Sequence, residues 1–286
     1  MPDSWQLAAA LARFLLYLGV LGSAGLVFAH IVLRRETGRV YGILRRQAAA
    51  LAVLALAAAG LGFLLTGAAM TGDASGMADA EMLGLLWRTP AGTALATQAA
   101  GLVLLLGGAL LPGRGVWVSG AGGLIALWAF CRVGHVADAG AAWLQAVLLV
   151  HLAAAAFWIG IFTPLSRLAA DDLPAAAALG TRFGRIAVCT VPLLIAAGIV
   201  MAWRLLGDFS ALVTTAYGLA LLAKVAGVGV LLAAGAANKL RFVPAMRRGE
   251  RAGAQSLRRS IAVEWLAVAA VLLLTAALTG LAGLPG

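Results

Sequence analysis

Apolar residues along this chain fall into eight long runs, roughly 8–33, 48–70, 90–111, 115–136, 141–164, 184–206, 212–237 and 261–282, each near the ~20 residues a helix needs to cross a bilayer core. The runs are rich in Leu, Ala, Val and Gly and hold few β-branched stretches, which favours helices over the alternating strands of a barrel. The pattern predicts an all-α polytopic membrane helix bundle with about eight transmembrane helices. The longest connection, 238–260, is too short for a soluble domain of its own. Residues 1–286 therefore read as a single membrane domain, with 1–136 supplying four helices and 137–286 the other four. The opening segment MPDSWQLAAALARF has no basic stretch before its apolar run, so the first span reads as retained rather than as a cleaved signal peptide.

Composition agrees: 63% of residues are hydrophobic and 11% charged, under half of the ~25% usual in a soluble domain. The formal charge of +10 brings two partners to mind, nucleic acid and a membrane surface. The placement of the charges decides between them. Sixteen of the 21 Lys and Arg lie in alternate connections, five of them in RRETGRVYGILRR and seven in NKLRFVPAMRRGERAGAQSLRR. The opposite connections hold only Arg88, Arg132 and Arg204. Such a bias is a topology signal, and it puts the basic connections in the cytoplasm and both termini outside. No aromatic residues interleave with the basic ones as single-strand binding requires, so nucleic acid is not expected as a partner and the lipid bilayer is.

Against this apolar background a few residues stand out. His151 is well inside the fifth run, ~15 Å deep at ~1.5 Å of rise per residue. An imidazole there needs a partner and must face the bundle interior. It reads either as a core histidine bonded to a neighbouring carbonyl or as a ligand for a metal or haem. Trp158, seven residues on, shares its helix face. At the outer end of the fourth run, Cys131 precedes His135 by four residues and Asp138 follows; thiolate and imidazole on one face suit a soft or borderline cation. The outer connection MTGDASGMADAEM carries Met70, Met77 and Met82 among Asp73, Asp79 and Glu81. Thioethers prefer Cu(I), and the carboxylates add negative potential. Met201, near the outer end of the sixth run, lies on the same side.

Other polar residues within the spans read as structural first. Lys224 is in the middle of the seventh run, where a charge needs an ion pair, a route to the interface, or neutralisation by burial. Glu264 is near the start of the eighth run beside several arginines, which points to a structural ion pair. The two cysteines, Cys131 and Cys189, lie in apolar runs and form no disulfide framework. There is no hydrolase elbow, phosphate-binding glycine loop or HExxH, so an enzyme is not expected.

Three longer segments carry a resemblance. VHLAAAAFWIGIFTPL, KVAGVGVLLAAGAANKLRFVPAM and RRSIAVEWLAVAAVLLLTAALT, in that order, resemble the copper resistance protein D (CopD) family; GHVADAG and ARFLLYLGVLGSAGLVF resemble its preceding segments. The resemblance implies a bacterial inner-membrane protein that moves copper from periplasm to cytoplasm, with a separate periplasmic copper-binding partner of the CopC type. Carried over to this chain, it makes His135 and His151 the candidate copper ligands, and Trp158, Lys224, Asn238 and Glu264 family-like positions. Soft ligands favour Cu(I), and Cu(II) is compatible. Two other functions stay open beside transport. One is a b-type haem protein with axial histidines, the weaker reading because His135 and His151 are separated by more than ~10 Å in depth. The other is a copper-binding sensor or scaffold that moves nothing.

Overall fold

The computed structural model describes residues 4–134, 141–206 and 211–279. Among these residues there is no strand, and eight helices are long and apolar enough to cross a membrane. They are α1 (Ser4–Val32), α2 (Tyr41–Thr71), α3 (Pro90–Leu110), α4 (Gly115–Ala129), α5 (Ala142–Asp171), α6 (Leu173–Leu206), α7 (Ala216–Ala237) and α8 (Arg251–Leu278). The chain is a polytopic all-α bundle, as the apolar pattern predicts.

The first helix is the centre of the bundle and packs against α2, α4, α5 and α8. Of its most apolar stretch 61% is buried inside the protein, against 6% for α6 and 0% for α7. In lipid an exposed apolar face carries no hydrophobic penalty, so packing is concentrated where backbones approach closely. One such place is the crossing of α1 and α5. A methyl group on Gly25 would lie 2.0 Å from the Ala156 carbonyl oxygen, and one on Gly160 would lie 2.0 Å from the Gly25 carbonyl oxygen. Only hydrogen fits at either position. The α3–α4 pair repeats the device, with Gly101 against the backbone of Ala126 and Gly122 against that of Leu105. The Ser119 hydroxyl closes this pair by donating to the Leu105 carbonyl at 2.8 Å.

Several connections differ from the sequence expectation. Residues 165–183 read as a loop, yet α5 runs to Asp171 and α6 begins at Leu173. The turn is held by Asp172, whose carboxylate accepts from the Ala175 amide at 3.0 Å and pairs with Arg39. Residues 238–260 also read as a loop. Instead α7 continues through a π-helical turn, Asn238–Phe242, into a short helix, Val243–Arg247, and only Arg248 to Glu250 separate it from α8. Nothing in that stretch breaks a helix until Gly249, which turns the chain at φ 84°; Pro244 stands in the first turn of its helix, where no amide is needed. The expected fourth span, 115–136, is shorter: α4 ends at Ala129 and a 3-10 turn, Phe130–Arg132, follows. The methionine-bearing connection is folded too, as a 3-10 turn Ala74–Met77 and a helix Ala80–Trp87, with Gly76 buried against the Gly67 carbonyl.

Candidate functional site

Glu264 is 2% exposed in α8, and its carboxylate meets two donors from other elements. The Asn238 amide Nδ2 donates to Oε1 at 2.6 Å, and the Trp158 indole Nε1 donates to Oε2 at 3.3 Å. The expected ion pair with an arginine is absent: among the described residues the ion pairs are Arg39 with Asp172 and Arg248 with Glu250. The reason is local geometry. Arg258 and Arg259 are exposed, whereas Glu264 turns inward toward α5 and the end of α7.

Each partner is positioned by its own element. The π-helical turn begins at Asn238 and brings that side chain into the interior, where it is 9% exposed. Such turns widen a helix locally and recur at functional sites. The Trp158 ring lies over Gly235, where a methyl group would be 2.8 Å from Cζ2, and meets Phe183 edge to face at 6.0 Å and 86°. Thus α5, α6, the end of α7 and α8 converge on one polar joint. It is incompletely satisfied, because Asn238 Oδ1 is buried without a hydrogen-bond partner. A buried orphan acceptor beside a carboxylate is an unusual arrangement in a membrane interior.

His151 lies on α5 two turns from Trp158, ~10 Å along the axis toward the arginine-poor end. Its Nδ1 is 3.1 Å from the Leu194 carbonyl of α6. A carbonyl only accepts, so in the neutral ring Nδ1 carries the proton and Nε2 keeps its lone pair. Metal-binding histidines are commonly oriented by this kind of bond. The ring lies against Gly198, whose added methyl would be 3.5 Å from Cε1. Lys224 of α7 is half-buried.

The remaining candidates are more scattered. His135 and Asp138 lie outside the described residues. Cys131 is a free, fully buried thiol in the turn after α4. Met70 is 60% exposed at the end of α2, Met77 and Met82 are half-buried in the folded connection, and Met201 is half-buried in α6. The carboxylates of that connection act as helix caps: Asp73 accepts from the Ser75 amide at 2.7 Å, and Asp79 from the Glu81 and Met82 amides at 3.0 Å. Hydrogen bonding from Ser75, by its side chain first and its backbone amide second, holds the exposed Asp73 carboxyl below its ordinary range. Glu81 is exposed. Among the described residues no three His, Cys, Asp or Glu come together as a metal-holding group. The third histidine, His30, is held in a turn: its Nδ1 donates to the Thr37 hydroxyl at 2.8 Å, that hydroxyl donates to the Leu33 carbonyl, and the ring stacks on Tyr41 at 4.0 Å.

Phe183 and Gly235 complete the joint but carry no mark in the sequence reading. Gly235 is one helical turn before Asn238, so a gap beside Asn238 on the same face is the signal that points to it.

Two family models match the chain: copper resistance protein D-like, N-terminal domain, over residues 1–144, and copper resistance protein D, over residues 177–278. The second covers Phe183, Gly235, Asn238 and Glu264, while most of α5, with His151 and Trp158, falls between the two. No curated protein and no solved structure matches the chain. With a membrane bundle, a buried polar joint within the second matched stretch, and half of its length matched by the first, this chain belongs to the copper resistance protein D family.

Proposed function

We propose that the chain carries copper across the bacterial inner membrane from periplasm to cytoplasm, with His151 as the ligand within the bundle. Membership of the family supports a role in copper handling. The observation that carries the finer reading is the bond between His151 Nδ1 and the Leu194 carbonyl, which leaves Nε2 as a lone-pair donor inside an apolar helix bundle. Orientation follows from the arginine bias, with the arginine-rich end cytoplasmic and both termini periplasmic. On this reading Met70, Met77, Met82 and Met201, with Asp73, Asp79 and Glu81, collect Cu(I) at the periplasmic end, where Cys131, His135 and Asp138 also belong. A separate carrier of the CopC type is the donor that this entry site calls for. The joint of Trp158, Asn238 and Glu264 lies deeper, and its carboxylate and orphan amide oxygen are the next oxygen donors toward the cytoplasm.

The test is copper flux into liposomes holding the purified protein, with zinc as control, together with copper accumulation in cells. His151→Ala is expected to abolish copper flux at normal protein level. Unchanged copper entry in that variant removes His151 from the path.

A further inference from the structure

We propose that the arginine-rich end of the bundle binds the headgroup phosphate of an anionic phospholipid, in a cleft between α2, α5 and α8. The inference is separate from the copper reading and rests on different residues. The cleft has a volume of about 900 Å³, within the range of small-molecule sites. Four guanidinium groups line it: Arg46 from α2, Arg167 from α5, and Arg258 and Arg259 from α8. All four are exposed, and none is ion-paired among the described residues. No Asp or Glu lines the cleft; its other polar groups include the Ser166 and Thr163 hydroxyls and the Gln47 and Gln255 amides.

Four like charges drawn from three helices into one cleft repel each other unless an anion lies between them. Guanidinium is the group best suited to phosphate, since its fork donates two parallel hydrogen bonds to two oxygens. The lower wall distinguishes a lipid from a free anion. It is apolar, formed by Ile261 and the edge-to-face pair of Phe162 and Trp265, whose rings are 5.4 Å apart. A basic rim above an apolar, tryptophan-bearing wall matches a molecule with an anionic head and hydrocarbon tails, and basic pockets between transmembrane helices bind such lipids. The cleft also adjoins the polar joint. Trp265 follows Glu264, and Phe162 is one turn from Trp158, so a lipid bound here braces α5 against α8 where Glu264 is held.

The experiment uses the full chain purified in a neutral detergent. Phosphatidylglycerol, cardiolipin, phosphatidylcholine or inorganic phosphate is added, bound lipid is counted by native mass spectrometry, and the shift in Tm is recorded. The two anionic lipids are expected to bind and raise Tm, and phosphatidylcholine and inorganic phosphate are not. Replacing Arg258→Gln and Arg259→Gln together is expected to weaken anionic-lipid binding about 25-fold, at about five-fold per arginine. Arg185→Gln, an exposed arginine outside the cleft, is expected to leave it unchanged. If the double variant does not fold, Arg46→Gln and Arg167→Gln on the other two helices are each expected to show the five-fold loss. The proposal is overturned if the cleft variants bind anionic lipid as wild type does, or if phosphatidylcholine binds equally well. Protection by inorganic phosphate to the same extent as by lipid overturns the lipid assignment in favour of a free anion.

Discussion

Replacing Glu264 separates two accounts of the joint, one in which it is a hydrogen-bond complement and one in which it needs a negative charge. In Glu264→Ala the Trp158 indole N–H and the Asn238 amide N–H lose their acceptor in a site that is 2% exposed. A buried donor left without a partner costs about 1–3 kcal/mol, so the pair sums to roughly 4 kcal/mol. Glu264→Gln keeps the shape. Its carbonyl accepts from Trp158, and its amide group faces Asn238, which by turning its own amide over offers the Oδ1 atom that now has no partner. Oδ1 gains a donor, while the turned Nδ2 takes the place that has no partner, so one buried donor is left instead of two and the expected cost is about half that of the Ala variant, ~2 kcal/mol. The assay is reversible unfolding in mixed micelles, followed by near-ultraviolet circular dichroism and compared at equal slope with denaturant. A Gln variant as damaged as the Ala variant refutes the reasoning, because it means that the fold requires an anionic carboxylate. An Ala variant as stable as wild type refutes it from the other side.

Other substitutions test the packing. A methyl on Gly160 would lie 2.0 Å from the Gly25 carbonyl oxygen, where ordinary contact begins at 3.4 Å, so Gly160→Ala must part α1 and α5 by about 1.4 Å and is expected to cost about 1–3 kcal/mol. Gly25→Ala added to it should cost less than it does alone, since one separation relieves both clashes; strictly additive unfolding energies would contradict the shared crossing. Asp172→Ala removes the cap on the Ala175 amide and the partner of Arg39, for about 1 kcal/mol in the same unfolding assay, while Arg39→Gln, which loses only an exposed ion pair, should cost less. Gly235→Ala places a methyl 2.8 Å from the Trp158 ring, and a shifted indole N–H resonance by nuclear magnetic resonance is the expected sign that the bond to Glu264 has been disturbed.

Much of the architecture was legible from the order of apolar and polar residues alone. The count of helices, their type and the one-sided distribution of arginine follow from bilayer thickness and from the need to satisfy every backbone amide within a span. Helix ends were legible only in part. The stretches 165–183 and 238–260 are polar enough to leave the membrane, but polarity does not end a helix; a residue such as Gly249, or a side chain such as Asp172 competing for the first amides, does.

For the site, residue type and spacing marked out His151, Trp158 and Glu264, and the resemblance added Asn238. What each touches was decided in three dimensions. Glu264 has arginines six and five residues before it, Arg258 and Arg259, and sequence distance suggests an ion pair; the packing of α8 against α5 and the widened turn at Asn238 give its carboxylate two neutral donors instead. The Gly of the FWIG segment reads as part of a motif, and it proves to be the contact where α5 meets α1. Periodicity and charge are properties of one strand of sequence against its solvent, so the chain alone determined the spans and their alternation. Which side chains meet depends on helix rotation and crossing, set by close packing between segments more than 100 residues apart in the case of Trp158 and Glu264, and only the assembled bundle decides it.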